Sequence, residues 1–309
     1  MEVITLLDNY NIDNYQTGIA LGNFDGVHIG HQALIVNLVE ACKKNNLKSV
    51  IYTFKSHPRK ITTENGSPKK ILADAQKFKI LAEMGIDKLI FIDFDDYQRT
   101  LNPHDFIKDI LVDKLKMAYA VVGFDYRFGF QAEGDTELLK NLQNQYSYKA
   151  TIIEPVMIQN ETISSTGIRK FISEGNISKA NLFLGRPFTL IGKVIKGKGL
   201  GKKFGFPTAN LQLKNDVAFP TSGVYYTKCI YNNQIFYGVT NIGVNPTIGS
   251  DSTAIETHIF NFNQDIYDSE IEILFYHKIR DEIKFSSIEA LIKQVDSDMN
   301  KTKKFFGIL

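Results

Sequence analysis

Gly22-Asn23-Phe24-Asp25-Gly26-Val27-His28-Ile29-Gly30-His31 joins two segments of different periodicity. Ahead of it, Gly18-Ile19-Ala20-Leu21 is largely apolar, the pattern of a buried strand. Behind it, Ala33, Leu34, Leu38, Val39 and Cys42 recur at helical spacing. Three glycines and two histidines therefore occupy the turn from a strand into a helix N-terminus. In an open α/β sheet, ligands sit outside the carboxyl ends of the strands. Exposed amides and the positive helix end there favour an anion, phosphate foremost, and glycine lets the backbone approach it closely. His28 and His31 are three apart and share a helical face. Two imidazoles so placed can donate hydrogen bonds to charge developing on a phosphate.

Outward from this turn the alternation continues. Lys48–Phe54 is β-branched and aromatic, a second strand. Residues 88–93, 119–122 and 150–156 read as three more. Between them, 73–84 places Phe78, Leu81 and Ala82 on one helical face and stops at Gly85. Asn102-Pro103 opens a helix to about Leu115, and Asp135 caps one over 136–146. Strands alternating with helices predict a doubly wound parallel α/β sheet with right-handed crossovers. The loops holding His28, His57, Asp125 and Ser165 lie at its carboxyl edge. Phe124, Tyr126 and Phe128 read as core residues or, since they alternate with Asp125 and Arg127, as leaving some ring exposed for stacking on a planar ligand. Ser164-Ser165-Thr166-Gly167-Ile168-Arg169 offers hydroxyls and a guanidinium to phosphates; taken alone it reads equally as a helix cap with a surface arginine.

At Gly185-Arg186-Pro187 the pattern changes. Strand-like runs at 188–195, 224–231, 234–239, 254–262 and 270–278 follow without helices between them, and Asn232-Asn233 reads as a hairpin turn. The expectation is two domains, 1–184 and 185–309, the second a small closed antiparallel β-barrel. Ser286 and Glu289 form a capping box for a C-terminal helix expected to bury Ile288, Leu291, Ile292, Val295 and Met299. Gly197, Lys198, Gly199, Gly201 and Lys203 mark a basic, glycine-rich loop whose amides can nest phosphate; taken alone it reads equally as a solvated hairpin tip. It is not a Walker A motif, because Gly199 stands where Ser or Thr is required. Thr208 and Asn210 share one strand face and present hard oxygens suited to Mg²⁺ that keeps waters and phosphates; without the glycine-rich loop beside them they read as a plain Thr-Asn turn. Glu256 lies mid-strand among apolar residues. It reads as a general base for a substrate hydroxyl or, equally, as an outward-facing residue of a half-exposed strand.

The 309 residues are 43% hydrophobic, enough for two cores. With 36 basic and 34 acidic side chains the net charge is +2, which excludes the electrostatic footprint of a nucleic-acid binder or a polybasic membrane anchor. Cys42 and Cys229 sit in apolar patterns and read as core residues of a reduced protein. There is no signal-peptide pattern and no apolar run long enough for a bilayer. The expectation is a cytoplasmic protein without nucleic-acid or membrane partners; self-association into a homo-oligomer is left open.

These motifs carry a resemblance. His28-Ile29-Gly30-His31 is the HIGH sequence of the nucleotidyltransferase superfamily. GNFDGVHIGH, with TFKSHP, VVGFDYRFG and ISSTGIR, resembles the FMN adenylyltransferase module of prokaryotic FAD synthetases. GKGLGKKFGFPTANL, GVYY, NIGVNPTIG and ETHIFNF resemble the riboflavin kinase module that follows it in bifunctional bacterial enzymes. The resemblance implies a HIGH-type Rossmann-like domain followed by a kinase barrel. It implies that riboflavin is phosphorylated by ATP to FMN, and that FMN then takes an adenylyl group from ATP, giving FAD and pyrophosphate, with Mg²⁺ in both steps. By the same resemblance His28 and His31 hold the α-phosphate, while Ser165, Thr166 and Arg169 hold the β- and γ-phosphates. Gly22, Asn23 and Phe24 belong to the ATP site, and His57, Asp125 and Phe128 to the flavin side. In the second module the glycine-rich loop closes over the nucleotide, Thr208 and Asn210 bind Mg²⁺–ATP, and Glu256 takes the proton of the ribityl 5′-hydroxyl. Ser56, in place of a common proline, and Asn261, in place of a common aspartate, depart from the family pattern. The competing expectation keeps adenylyl transfer alone, with the barrel a flavin-sensing or interaction module.

Overall fold

The computed structural model describes residues 1–6, 15–55, 68–197, 199–213, 217–244 and 253–308. It forms two compact units, Met1–Pro68 with Asp74–Ser164, and Lys69–Ala73 with Ser165–Leu309.

The first unit is built on β1 (Glu2–Ile4), β2 (Thr17–Leu21), β3 (Lys48–Phe54), β4 (Lys88–Ile92), β5 (Met117–Gly123) and β6 (Lys149–Ile153), in the order β1-β4-β3-β2-β5-β6. Every pairing is parallel. All five residues of β2 are buried, as expected of a strand covered on both faces. Helix α1 (Ile29–Asn45) buries Leu34, Ile35, Leu38, Val39 and Cys42. It lies so close to the sheet that a Cβ on Gly18 would overlap the Cys42 sulfur. Burial pushes the Cys42 thiol up to about 11 and the Cys229 thiol up to about 12, so both stay protonated. Helix α2 (Asp74–Glu83) buries Leu81 and Lys77.

Two helices differ from expectation. The one opened by Asn102 and Pro103 is present, and the Asn102 side chain accepts the His104 N–H at 2.8 Å. Beyond Asp105 it is π-wound over Phe106–Lys114, ending with Leu115 N–H on the Ile110 carbonyl at 2.9 Å. The wider winding brings Phe106, Ile107, Ile110 and Leu111 into the core. The helix capped by Asp135, which accepts Leu138 N–H at 2.9 Å, stops at α3 (Thr136–Asn141) instead of running to 146. The chain turns back through Ser147, at φ +56°, so that the buried Tyr148 hydroxyl can donate to the Leu139 carbonyl at 2.5 Å.

Strand order reverses at β2: β3 and β4 lie on one side, β5 and β6 on the other. The loops after β2 and β5 therefore flank the crevice where open α/β sheets bind ligands.

In the second unit, α4 (Ser165–Ser173) and α5 (Ile177–Leu184) pack on each other. They precede a closed antiparallel barrel of β7 (Phe188–Ile195), β8 (Ala209–Leu213), β9 (Gly223–Tyr231), β10 (Gln234–Val244), β11 (Thr253–Ile259) and β12 (Glu270–Arg280), ordered β8-β11-β10-β9-β12-β7. Asn232 and Asn233, at φ +47° and +60°, make the expected β9–β10 hairpin. Inside, the fully buried Thr227, Thr240 and Thr257 join hydroxyls across three strands at 2.9 and 2.8 Å. The C-terminal helix α6 (Ile288–Phe306) is capped one residue later than expected. Ser287, not Ser286, accepts the Ala290 N–H, at 3.2 Å. Its expected apolar face is not buried either: Ile288 is 51% exposed, and Leu291, Ile292, Val295 and Met299 are half-buried. The buried residues are Asp298 and Thr302. Asp298 takes the Arg280 guanidinium at 2.9 and 2.8 Å and the Gln294 amide at 2.9 Å. Further along, Phe305 stacks on Tyr226 at 4.3 Å, and Phe306 meets Tyr237 and Tyr276 at 5.0 and 5.2 Å.

Candidate active sites

The turn after β2 is tight. Phe24 and Val27 are fully buried at φ +50° and +38°, with Gly26 at +82°, and Val27 N–H closes on the Phe24 carbonyl at 3.2 Å. Left-handed conformations cost a non-glycine residue about 1 kcal/mol or more and cluster at functional sites. His28 is the N-cap of α1, its Nδ1 accepting the His31 N–H at 3.2 Å. An accepting Nδ1 puts the neutral ring's proton on Nε2, so His28 donates through Nε2. The His31 ring stacks on it with centroids 3.6 Å apart and planes at 14°. A Cβ on Gly30 would press on the His28 ring at 3.2 Å, so that glycine makes room for the stack. Beneath the turn, the Asn23 carbonyl accepts Thr53 Oγ1 at 3.1 Å and Lys77 Nζ at 3.2 Å.

Across the crevice, Asp125 is buried at the end of β5. Phe128 lies in the core against Phe106 and Tyr126, both at 5.6 Å, and is 7% exposed. The ring presented to solvent is Phe124, 45% exposed. His57 lies outside the described residues. Ser165, Thr166 and Arg169 occupy the start of α4 in the second unit, and Arg169 Nε donates to the Lys69 carbonyl at 2.9 Å.

On the barrel, Asn210, Glu256 and Asn241 stand directly opposite one another across β8, β11 and β10. Their neighbours Ile255, Thr257 and Thr240 point inward, so strand alternation puts this row on the outer surface, where each member is half-buried. Thr208 immediately precedes β8. The glycine-rich loop runs over Asn210, since a Cβ on Gly197 would overlap its amide. Gly199 has φ +69° and open space around it, Gly201 and Lys203 belong to a helical turn (Leu200–Lys203), and Lys198 is outside the described residues. His258, two residues beyond Glu256 on the same face, donates Nδ1–H to the Pro207 carbonyl at 2.8 Å and ties β11 to the segment that carries Thr208. Burial holds its pKa below the ordinary imidazole value, against the opposing pull of that carbonyl. Sequence reading missed Thr53, Lys77 and Asn241. Cross-strand register and strand order bring them to the sites, and periodicity alone contains neither.

Thr208 and Asn210 supply neutral oxygens. Such a pair suits a divalent ion that arrives with phosphates and waters as its other ligands, and the bare Cα of Gly197 leaves the Asn210 amide accessible. Among the described residues no group of three His, Cys, Asp or Glu is placed to cage a metal, and no helix is long and apolar enough to cross a membrane.

A tight glycine and histidine turn at the carboxyl edge of a parallel sheet, followed by a barrel with its own glycine loop, fits a transferase with two nucleotide-using modules. A family model for FAD synthetase matches residues 11–167, and one for riboflavin kinase matches 184–306. The bifunctional riboflavin kinase/FMN adenylyltransferase of Buchnera aphidicola subsp. Schizaphis graminum is 38% identical over the full length of both chains. That of Escherichia coli K12 is 34% identical over 94% of this chain and 93% of its own. A solved Streptococcus pneumoniae structure, described as a macrolide-efflux protein, is 31% identical and superposes with a TM-score of 0.90 over 98% and 99% of the two chains. The chain belongs to the bifunctional riboflavin kinase/FMN adenylyltransferase family. It is an enzyme with a kinase and an adenylyltransferase module, which removes the ground for a non-catalytic barrel.

Proposed function

We propose that the chain makes FMN on the outer row of its barrel and FAD at the His28–His31 turn. The observation that carries the second half is the stacked histidine pair at the start of α1, with the His28 ring held by Nδ1 so that its proton is on Nε2.

In the kinase step, Glu256 accepts the proton of the ribityl 5′-hydroxyl, and the oxygen attacks the γ-phosphorus of ATP. The loop of Gly197, Lys198, Gly199, Gly201 and Lys203 covers the phosphates. Thr208 and Asn210 would hold Mg²⁺ carried on ATP, which when bound would supply positive charge to the transferring phosphoryl group.

In the adenylyl step, an FMN phosphate oxygen attacks the α-phosphorus of ATP, pyrophosphate leaves, and no covalent enzyme intermediate forms. Catalysis is positioning and electrostatic stabilisation. His28 and His31 donate to the α-phosphate oxygens as charge builds there. Gly22, Asn23 and Phe24 line the ATP side, Ser165, Thr166 and Arg169 hold the β- and γ-phosphates, and His57, Asp125 and Phe128 form the flavin side. Functionally the chain divides at 184/185, with the adenylyltransferase before that point and the riboflavin kinase after it. Riboflavin, FMN, FAD and ATP are the ligands, nucleic acid is not a partner, and the protein works in the cytoplasm.

A time course with riboflavin, ATP and Mg²⁺, resolving FMN from FAD, tests this. His28→Ala is expected to accumulate FMN and lower FAD formation by about 10²-fold or more, the scale of a lost transition-state donor. Glu256→Ala is expected to make no FMN from riboflavin, yet FAD from supplied FMN. Retained FAD synthesis in the first variant, or retained phosphorylation in the second, overturns the corresponding assignment.

A further inference from the structure

Lys77 takes no part in the scheme above. It sits on α2 and is 4% exposed, and among the described residues no other lysine or arginine is buried so deeply. Burying an ammonium is costly unless its donors are taken up. Here Nζ donates to the Asn23 carbonyl at 3.2 Å and lies 5.6 Å from the centre of the Phe91 ring. The same carbonyl takes the Thr53 hydroxyl at 3.1 Å. Two donors, one from α2 and one from β3, thus grip a single oxygen in the middle of the phosphate turn.

In a trans peptide the C=O and N–H point in opposite directions, and the described chain has no cis peptide. Fixing the Asn23 oxygen beneath the turn therefore turns the Phe24 N–H to the opposite side. Phe24 is fully buried, and its N–H makes no hydrogen bond to the described residues, where its carbonyl takes Val27 N–H. Buried amides are nearly always paired, and Phe24, at 0% exposure, has no solvent to pair with, so its acceptor has to arrive with a ligand that enters the turn.

We propose that Lys77 is a positioning residue for adenylyl transfer: with Thr53 it clamps the Asn23 carbonyl and so presents the Phe24 amide to the phosphates of the nucleotide. This rests on the reading of the His28 turn as the phosphate site.

The test uses the full-length enzyme making FAD from supplied FMN, with inorganic pyrophosphate and adenosine as competing probes. Lys77→Met is expected to raise the KM for ATP and the inhibition constant of pyrophosphate about tenfold, the scale of a lost charge-assisted hydrogen bond. The inhibition constant of adenosine, the KM for FMN and the rate of riboflavin phosphorylation stay unchanged. Lys77→Arg restores most of the loss. A residue that only fills space would shift pyrophosphate and adenosine together, and that result overturns the proposal. If Lys77→Met does not fold, by circular dichroism and thermal unfolding, Thr53→Val decides. It keeps the lysine, removes the other donor, and must also weaken pyrophosphate selectively. His28→Ala separates the two levels. If it leaves FAD synthesis intact the phosphate-site reading fails; if it abolishes FAD synthesis while Lys77→Met is silent, only the clamp fails.

Discussion

Gly30 and Gly197 do related work at the two sites, each leaving space that a functional side chain fills. A methyl group on Gly197 would meet the Asn210 amide, so Gly197→Ala is expected to lower riboflavin phosphorylation about tenfold or more, as a misplaced positioning contact does. FAD synthesis from supplied FMN should not change, and both rates come from one coupled assay. His258 gives a pH signature. Burial depresses its folded-state pKa, so the unfolded chain binds this proton at a higher pH than the folded one. The stability it contributes is complete above the ordinary imidazole value and is lost as pH falls through the depressed folded value. The barrel's thermal midpoint is expected to drop on that acid limb, and His258→Gln should flatten the drop when melting is followed against pH. At this scale much was legible: the three-residue spacing of His28 and His31 announced their shared face, which the stacked rings bear out. Phe128 was harder. Alternation says that some ring in the 124–128 loop is exposed but does not fix which, and the solvent-facing one is Phe124.

Secondary-structure elements were legible in kind, less so in what they face. The strands came from apolar and β-branched runs, and Asn232-Asn233 gave its hairpin away because few residues adopt two consecutive positive φ angles. The π-winding of Phe106–Lys114 leaves no mark in a spacing pattern, since it answers to packing against the sheet. Helix α6 shows the limit most clearly. Its apolar positions were the ones expected inside, yet a side chain buried there is Asp298, 2% exposed and held by Arg280. Removing one partner of a buried pair leaves the other uncompensated, so Asp298→Ala is expected to destabilise the barrel unit by about 3 kcal/mol, measured by urea unfolding. At the far end of the helix, Lys228 Nζ lies 5.2, 5.3 and 5.4 Å from the Tyr237, Tyr276 and Phe306 ring centres, a cation–π box that anchors the last turn.

For the molecule as a whole, the alternation of strands and helices, then strands alone, announced two fold classes. Strand order was not in the sequence, because pairing between distant segments is settled by packing, and with it went Lys77, Thr53 and Asn241. The two ways of dividing the chain also differ. Compactness places α5 with the barrel, where the Asn181 side chain donates to the Phe275 carbonyl at 2.8 Å and accepts Phe188 N–H at 2.7 Å, and Ile177, Ala180, Phe183 and Leu184 are buried. A fragment 165–309 is therefore expected to melt several degrees above a fragment 185–309 and to keep more riboflavin kinase activity. Equal melting of the two would show that α5 is dispensable to the barrel.

The threonine ladder through the barrel has a further consequence. Thr227, Thr240 and Thr257, all fully buried, bridge the lumen and share it with Leu190, Val194, Ile255, Ile273 and Phe275, each no more than 3% exposed. A three-ringed flavin has no vacancy to enter there. The proposed kinase reading accordingly puts riboflavin on the outside wall, where the release of FMN would part no strand from its neighbour.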